Sequence, residues 1–185
     1  MKIKDVVVKW RMPFNCTLME SLMSNEVETA LSDWIKNTNT NDYLLIGGAV
    51  VGYYTKPRMT QDVDILYHSV DVIPQQVNGF KHHRAHAFEH LQTGVEVETL
   101  DSTFINISQE LVDQVFSDSD IVDGIKIPSP SGLVALKVCR HDFQDIADIH
   151  SIAQTHDIDL TGWKLDPSKV ELVEQRLGYS LRSNK

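Results

Sequence analysis

Apolar residues recur at helical period near the start of the chain: Leu18/Met19, Leu22/Met23, Val27, Ala30/Leu31 and Trp34/Ile35. The spacing predicts an amphipathic helix over residues 17–35, with Thr17 and Glu20 in the form of a capping box. Before it, residues 3–10 have the composition of a strand, interrupted by Pro13 and Asn15. After it, Tyr43-Leu44-Leu45-Ile46 predicts a short buried strand ending at Gly47-Gly48. Residues 49–54 carry no polar alternation and predict a buried helix directly after the glycines. Asp62-Val63-Asp64-Ile65 alternates in the manner of a strand, and so do residues 94–100, with Val95 and Val97 inward and Glu96 and Glu98 on the opposite face.

Between those two strands, His82, His86 and His90 stand at i, i+4 and i+8, the spacing of one face of a solvent-facing helix. Further on, Leu111, Val112, Val115 and Phe116 predict a helix, and Asp123-Gly124 is the signal of a tight hairpin. Ser129-Pro130 then opens a helix through Val138, a second follows from about Gln144, and Asp166-Pro167 starts a third that stops at Gly178. Residues 179–185 are expected to be loose. No repeat, low-complexity linker or break in composition divides the 185 residues. We therefore expect a single domain over 1–185, with a core at about 25–155 and a helical extension at 156–185.

Composition narrows the chemistry. A net charge of −9 argues against a broad nucleic-acid footprint, which needs clustered lysine and arginine. The two cysteines, Cys16 and Cys139, are far apart and outside any C-x-x-C arrangement, which favours a reducing cytoplasm over a disulfide framework or a cysteine zinc site. The longest nearly apolar run, residues 43–54, is too short and glycine-rich to span a bilayer, so no membrane partner is expected.

The chemistry concentrates at Asp62 and Asp64. Side chains two apart on a strand share a face about 7 Å apart, and two carboxylates at that distance repel by roughly 2 kcal/mol at an effective dielectric of 20. A fold that keeps both beside a hydrophobic strand usually supplies a cation, and oxygen ligands of this kind suit Mg²⁺ or Mn²⁺. The glycine pair lets the backbone approach a ligand, although taken alone it reads more readily as a plain tight turn. Lys56 and Arg58 place cations just ahead of the aspartates, where they suit a polyphosphate or are solvated surface. Lys137, among apolar neighbours, either snorkels to the surface or reaches a phosphate.

Taken together, Gly47-Gly48, Arg58-x-Thr60-x-Asp62-x-Asp64, a later strand acid, Ser129-Pro130, Leu136-Lys137 and Asp145-x-x-Asp148 resemble the DNA polymerase β-like nucleotidyltransferases. Within that superfamily the chain looks most like the minimal bacterial branch with the abortive-infection toxins of type IV toxin–antitoxin systems. The resemblance implies an α+β fold, a mixed sheet with helices packed on it and a helical C-terminal portion. It further implies Asp62, Asp64 and Glu98 as catalytic metal ligands, with Glu96 as the alternative third acid. Nucleotide binding would fall to Gly47, Gly48, Arg58, Thr60, Lys137 and Asp145. The implied substrates are a nucleoside triphosphate and a hydroxyl on an RNA end, a protein or a small molecule, and the implied partner is a cognate antitoxin. Gly-Gly stands here where members commonly carry Gly-Ser, and the third acid is Glu rather than Asp. A catalytically inactive binding or regulatory protein on the same fold, and a sugar-nucleotide glycosyltransferase, are the alternatives.

Overall fold

The computed structural model describes residues 17–18, 24–38, 42–57 and 59–182. The expected strand over residues 3–10 lies outside them. Helix α1 (Asn25–Asn37) is capped by Ser24, whose Oγ accepts from the Val27 N–H, so it starts inside the stretch predicted as one helix; Glu20 of the expected capping box lies outside the described residues. Val27, Ala30, Leu31 and Trp34 form the buried stripe.

The central sheet is mixed, in the order β1-β2-β5-β4-β3. Strand β1 (Tyr43–Leu45) runs antiparallel to β2 (Asp62–Tyr67), and β2 runs parallel to β5 (Glu96–Leu100). Antiparallel β4 (Ala87–His90) and β3 (Phe80–Arg84) complete the sheet as a hairpin. The histidine-rich stretch is therefore this hairpin and not a helix. A spacing of four is a multiple of two as well as close to one helical turn, so it fits either element. The three histidines part company: His82 lies on Phe88, His86 on Phe104, and His90 is buried within 3.4 Å of Asp33.

The two faces of the sheet differ. Val63, Ile65 and Tyr67 alternate with the acids on β2 and share their face with Val97 and Phe88. Helix α1 covers this face, with Trp34 edge-on to Phe80 and Phe88 and its Nε1 donating to the Tyr67 hydroxyl. Along the other face the sequence turns from acidic to apolar, Asp62, Asp64, Leu66 on β2 and Glu96, Glu98, Leu100 on β5. Leu66 and Leu100 are buried there, while the acids stay at the open end.

Helices complete the α+β architecture. Helix α2 (Gly47–Tyr54) packs on β2; its first turn contains both glycines, two residues earlier than expected. After α3 (Gln109–Ser117), the hairpin β6 (Ser119–Val122) and β7 (Ile125–Pro128) turns at Asp123 and Gly124, both at positive φ. Ser129 caps α4 (Pro130–Arg140), Asp142 caps α5 (Phe143–Thr155) and Asp166 caps α6 (Pro167–Leu177). These last three pack on one another. The segment after α6 is anchored as far as residue 182: Leu181 is buried, its carbonyl accepts from the Leu160 N–H, and Arg182 pairs with Glu174. Among the described residues no helix is long and apolar enough to cross a membrane.

Candidate active site

Strand register brings the acids together. Asp62 is paired with Glu96, and Asp64 with Glu98, in the parallel β2–β5 ladder. All four carboxylates therefore rise from one face, in two rows. Asp62 is exposed at the mouth, and the buried Thr60 hydroxyl donates to its Oδ1 at 3.0 Å. Thr60 thus orients an acid.

Asp64 is the inner acid. Its carboxyl is pushed up to about 7, first by burial and then by the negative charge of Asp62 and Glu98, with Arg140 and Lys137 offsetting part of the effect. The coupling to Glu98 rather than Glu96 follows from the register. One local feature lets the chain pass so close to this side chain. The Ile46 N–H donates to the Asp64 carbonyl at 2.9 Å, and the next residue, Gly47, turns at φ +70°. A Cβ on Gly47 would lie 1.7 Å from Asp64 Oδ2. Glycine is required here twice, by its backbone angle and by the carboxylate against it. Helix α2 starts at this point with no side-chain cap on its first N–H groups.

Gly47 and Asp64 line one wall of a small cavity of about 40 Å³; Leu100, Leu136, Lys137, Arg140 and Asp145 line much of the rest. That space suits a few water molecules, not a nucleotide, which would have to lie along the open acidic face outside. In the far wall of the cavity is a second charged group. Lys137 Nζ, buried, donates to Asp145 Oδ1 at 3.0 Å and Asp148 Oδ2 at 2.7 Å, and Gln144 donates to the other oxygen of Asp148. Lys137 neither snorkels nor stands free to meet a phosphate; its single charge is shared by two carboxylates between α4 and α5. Asp145, expected on the nucleotide, is its partner in that pair. Asp145 Oδ2 lies 3.2 Å from Arg140 Nε without an aligned hydrogen bond.

Two cations absent from the expected site stand at its rim. Arg140 is exposed beside Asp64 and Asp145. Arg84, on the edge strand β3, donates through one nitrogen, Nη2, to both Glu96 and Glu98. Arg140 carries a sequence signal, lying three residues and thus one helical turn after Lys137; Arg84 carries none while its segment reads as a helix. Arg58 lies outside the described residues, and Gly48 sits in the first turn of α2 behind Gly47.

Mg²⁺ or Mn²⁺ fits this donor set in kind, because Asp62, Asp64 and Glu98 offer only hard oxygens and the charge on Asp64 is undercompensated. Among the described residues, however, no three acid, histidine or cysteine side chains converge into a ready-made metal cage. No protein-family model and no curated protein matches the chain.

Proposed function

We propose that the protein is a metal-dependent nucleotidyltransferase that moves a nucleoside monophosphate from a nucleoside triphosphate to a hydroxyl acceptor. The observation that carries this reading is the contact of Gly47 with Asp64. A glycine with no room for a Cβ is held against the inner of two strand carboxylates, at the uncapped start of a helix. That combination brings backbone N–H groups, which favour anions, beside acids that favour cations. A phosphate chain carrying a divalent ion satisfies both at once, whereas either ligand alone satisfies one and repels or ignores the other.

In this reading Asp62, Asp64 and Glu98 hold Mg²⁺ or Mn²⁺, which when bound supplies positive charge to the phosphate oxygens. The protein's own part is positioning. Thr60 fixes the Asp62 carboxylate, and Gly47 lets the main chain reach the phosphates. Arg140, exposed at the rim, offsets phosphate charge in the role the resemblance gives to Arg58 or Lys137. Glu98 takes the proton from the acceptor hydroxyl as its oxygen bonds to the α-phosphorus and the bond to pyrophosphate breaks. Holding the hydroxyl in line with the leaving group accounts for much of the acceleration available to such a site.

The test is a screen of the four α-labelled nucleoside triphosphates with Mg²⁺ or Mn²⁺ against RNA, protein and small-molecule fractions of a lysate. Label is expected in one fraction and absent with Asp62→Ala. Label in none, with no metal-dependent nucleotide binding by calorimetry, would leave a binding protein on this fold.

A further inference from the structure

The edge strand β3 carries Lys81, His83 and Arg84 against the acidic face. Lys81 lies 2.9 Å from Glu89, His83 lies within 3.7 Å of both Glu89 and Glu96, and Arg84 meets Glu96 and Glu98. Consecutive strand residues normally face opposite sides, so His83 and Arg84 ought not to share a face. They do so because the β3–β4 register is irregular between His82 and Arg84: His82 pairs with Phe88, yet Arg84 pairs with Ala87. An extra residue in one strand re-aims the side chain that follows it. The irregularity turns Arg84 toward Glu98, whose β4 neighbour is Ala87, too short to interfere.

We propose that Arg84 is a displaceable counter-ion that holds Glu98 and Glu96 away from the metal seat, so that a divalent cation loads the site only by displacing an intramolecular guanidinium. This rests on the nucleotidyltransferase reading of the same acids. A single nitrogen on two carboxylates is the arrangement a cation shared by both would have, and it occupies the third acid. The side chain of Arg84 is 58% exposed. An ion pair that open to water is weak and yields to a doubly charged ion. Arg84 is thus a positioning residue: it acts through Glu98, and it sets the metal concentration at which the third ligand becomes available.

MnCl₂ titrated into the full chain, with free Mn²⁺ followed by electron paramagnetic resonance, separates the possibilities. Arg84→Gln is expected to tighten Mn²⁺ binding roughly three- to tenfold, by removing a competing positive charge a few ångströms from the seat. Lys81→Gln removes an equal charge farther along the strand and is expected to tighten it by less than half as much. Circular dichroism melts accompany each variant, and a simple loss of structure would weaken binding rather than strengthen it. Binding that Arg84→Gln leaves unchanged, weakens, or tightens no more than Lys81→Gln does would overturn the inference alone, provided Asp64→Asn abolishes it. Binding that Asp64→Asn leaves intact, or no binding by the wild type, would overturn both the metal site and the role given to Arg84.

Discussion

The molecule contains two clusters of charge within one cavity's reach, and they are built on opposite plans. On the far wall of the cavity, Lys137 is buried between Asp145 and Asp148, Gln144 donates to the other Asp148 oxygen, and Arg140 lies 3.2 Å from the other Asp145 oxygen. At the mouth, Asp62, Asp64, Glu96 and Glu98 stand in two rows on open strand ends, and the counter-ion of the third acid is an exposed arginine. The first cluster is compensated and joins two helices. The second sets four acids against the exposed Arg84 and Arg140 at its rim. Surplus charge kept where a hydrophobic strand begins is a cost to stability, and costs of that kind concentrate at sites that bind or react. On the proposed reading, the contrast gives Lys137 an architectural part and Asp64 the chemistry.

The largest expected effect separates the two at once. Lys137→Met leaves two carboxylates buried without their cation and should cost about 3–5 kcal/mol in urea unfolding. A loss below about 1 kcal/mol, together with lost nucleotidyl transfer, would instead make Lys137 a catalytic group. Gly47→Ala comes next. Its methyl must displace the Asp64 carboxylate and its backbone must hold a left-handed turn, so we expect about 2 kcal/mol of destabilisation and a roughly hundredfold slower transfer. Transfer at the wild-type rate would show that the close approach is not used.

A third effect on stability is similar in size and opposite in sign. The Asp64 carboxyl titrates near 7 in the folded protein against the usual carboxyl range in the unfolded chain. The folded state therefore holds the extra proton between about pH 4 and pH 7, and this group's contribution to stability falls as pH rises through that window. Asp64→Asn should stabilise the metal-free protein at pH 8 by on the order of 2 kcal/mol and have little effect at pH 4, as thermal melts at the two pH values would show. Equal stability at pH 8 would mean that the acids are already compensated. Thr60→Val is the finest probe: loss of the hydrogen bond to Asp62 should slow transfer about tenfold with almost no change in melting temperature. A large drop in melting temperature would place Thr60 with the architecture instead.

Much of the acidic cluster was legible in the sequence because it depends on the simplest periodicity there is. Asp-x-Asp and Glu-x-Glu in strand-like surroundings place each pair on one face whatever else the fold does, and the glycine pair sits where the preceding strand ends. The mixed sheet of the α+β fold, by contrast, was expected only from the family resemblance. What periodicity cannot supply is the partner. Nothing local to Leu136-Lys137-Val138 reveals that two aspartates on the next helix close over the lysine, since that follows from how α4 and α5 pack. Arg84 was hidden for a different reason. Histidines four apart satisfy helix and strand alike, and the register irregularity that aims the arginine exists only once the hairpin forms. Ser24 does not stand out in the sequence because apolar residues continue at helical spacing upstream of it, and only its cap hydrogen bond fixes the start that spacing leaves open.

The most direct measurement compares transfer from α-labelled and γ-labelled nucleoside triphosphate by the wild type and Asp64→Asn, with Mg²⁺ or Mn²⁺ and the responsive acceptor fraction. The wild type should put the α-label on the acceptor and the γ-label in pyrophosphate, and Asp64→Asn should lower both by roughly a thousandfold while melting no earlier than the wild type. γ-Label on the acceptor, or α-label transferred equally well by Asp64→Asn, would contradict nucleotidyl transfer at this face.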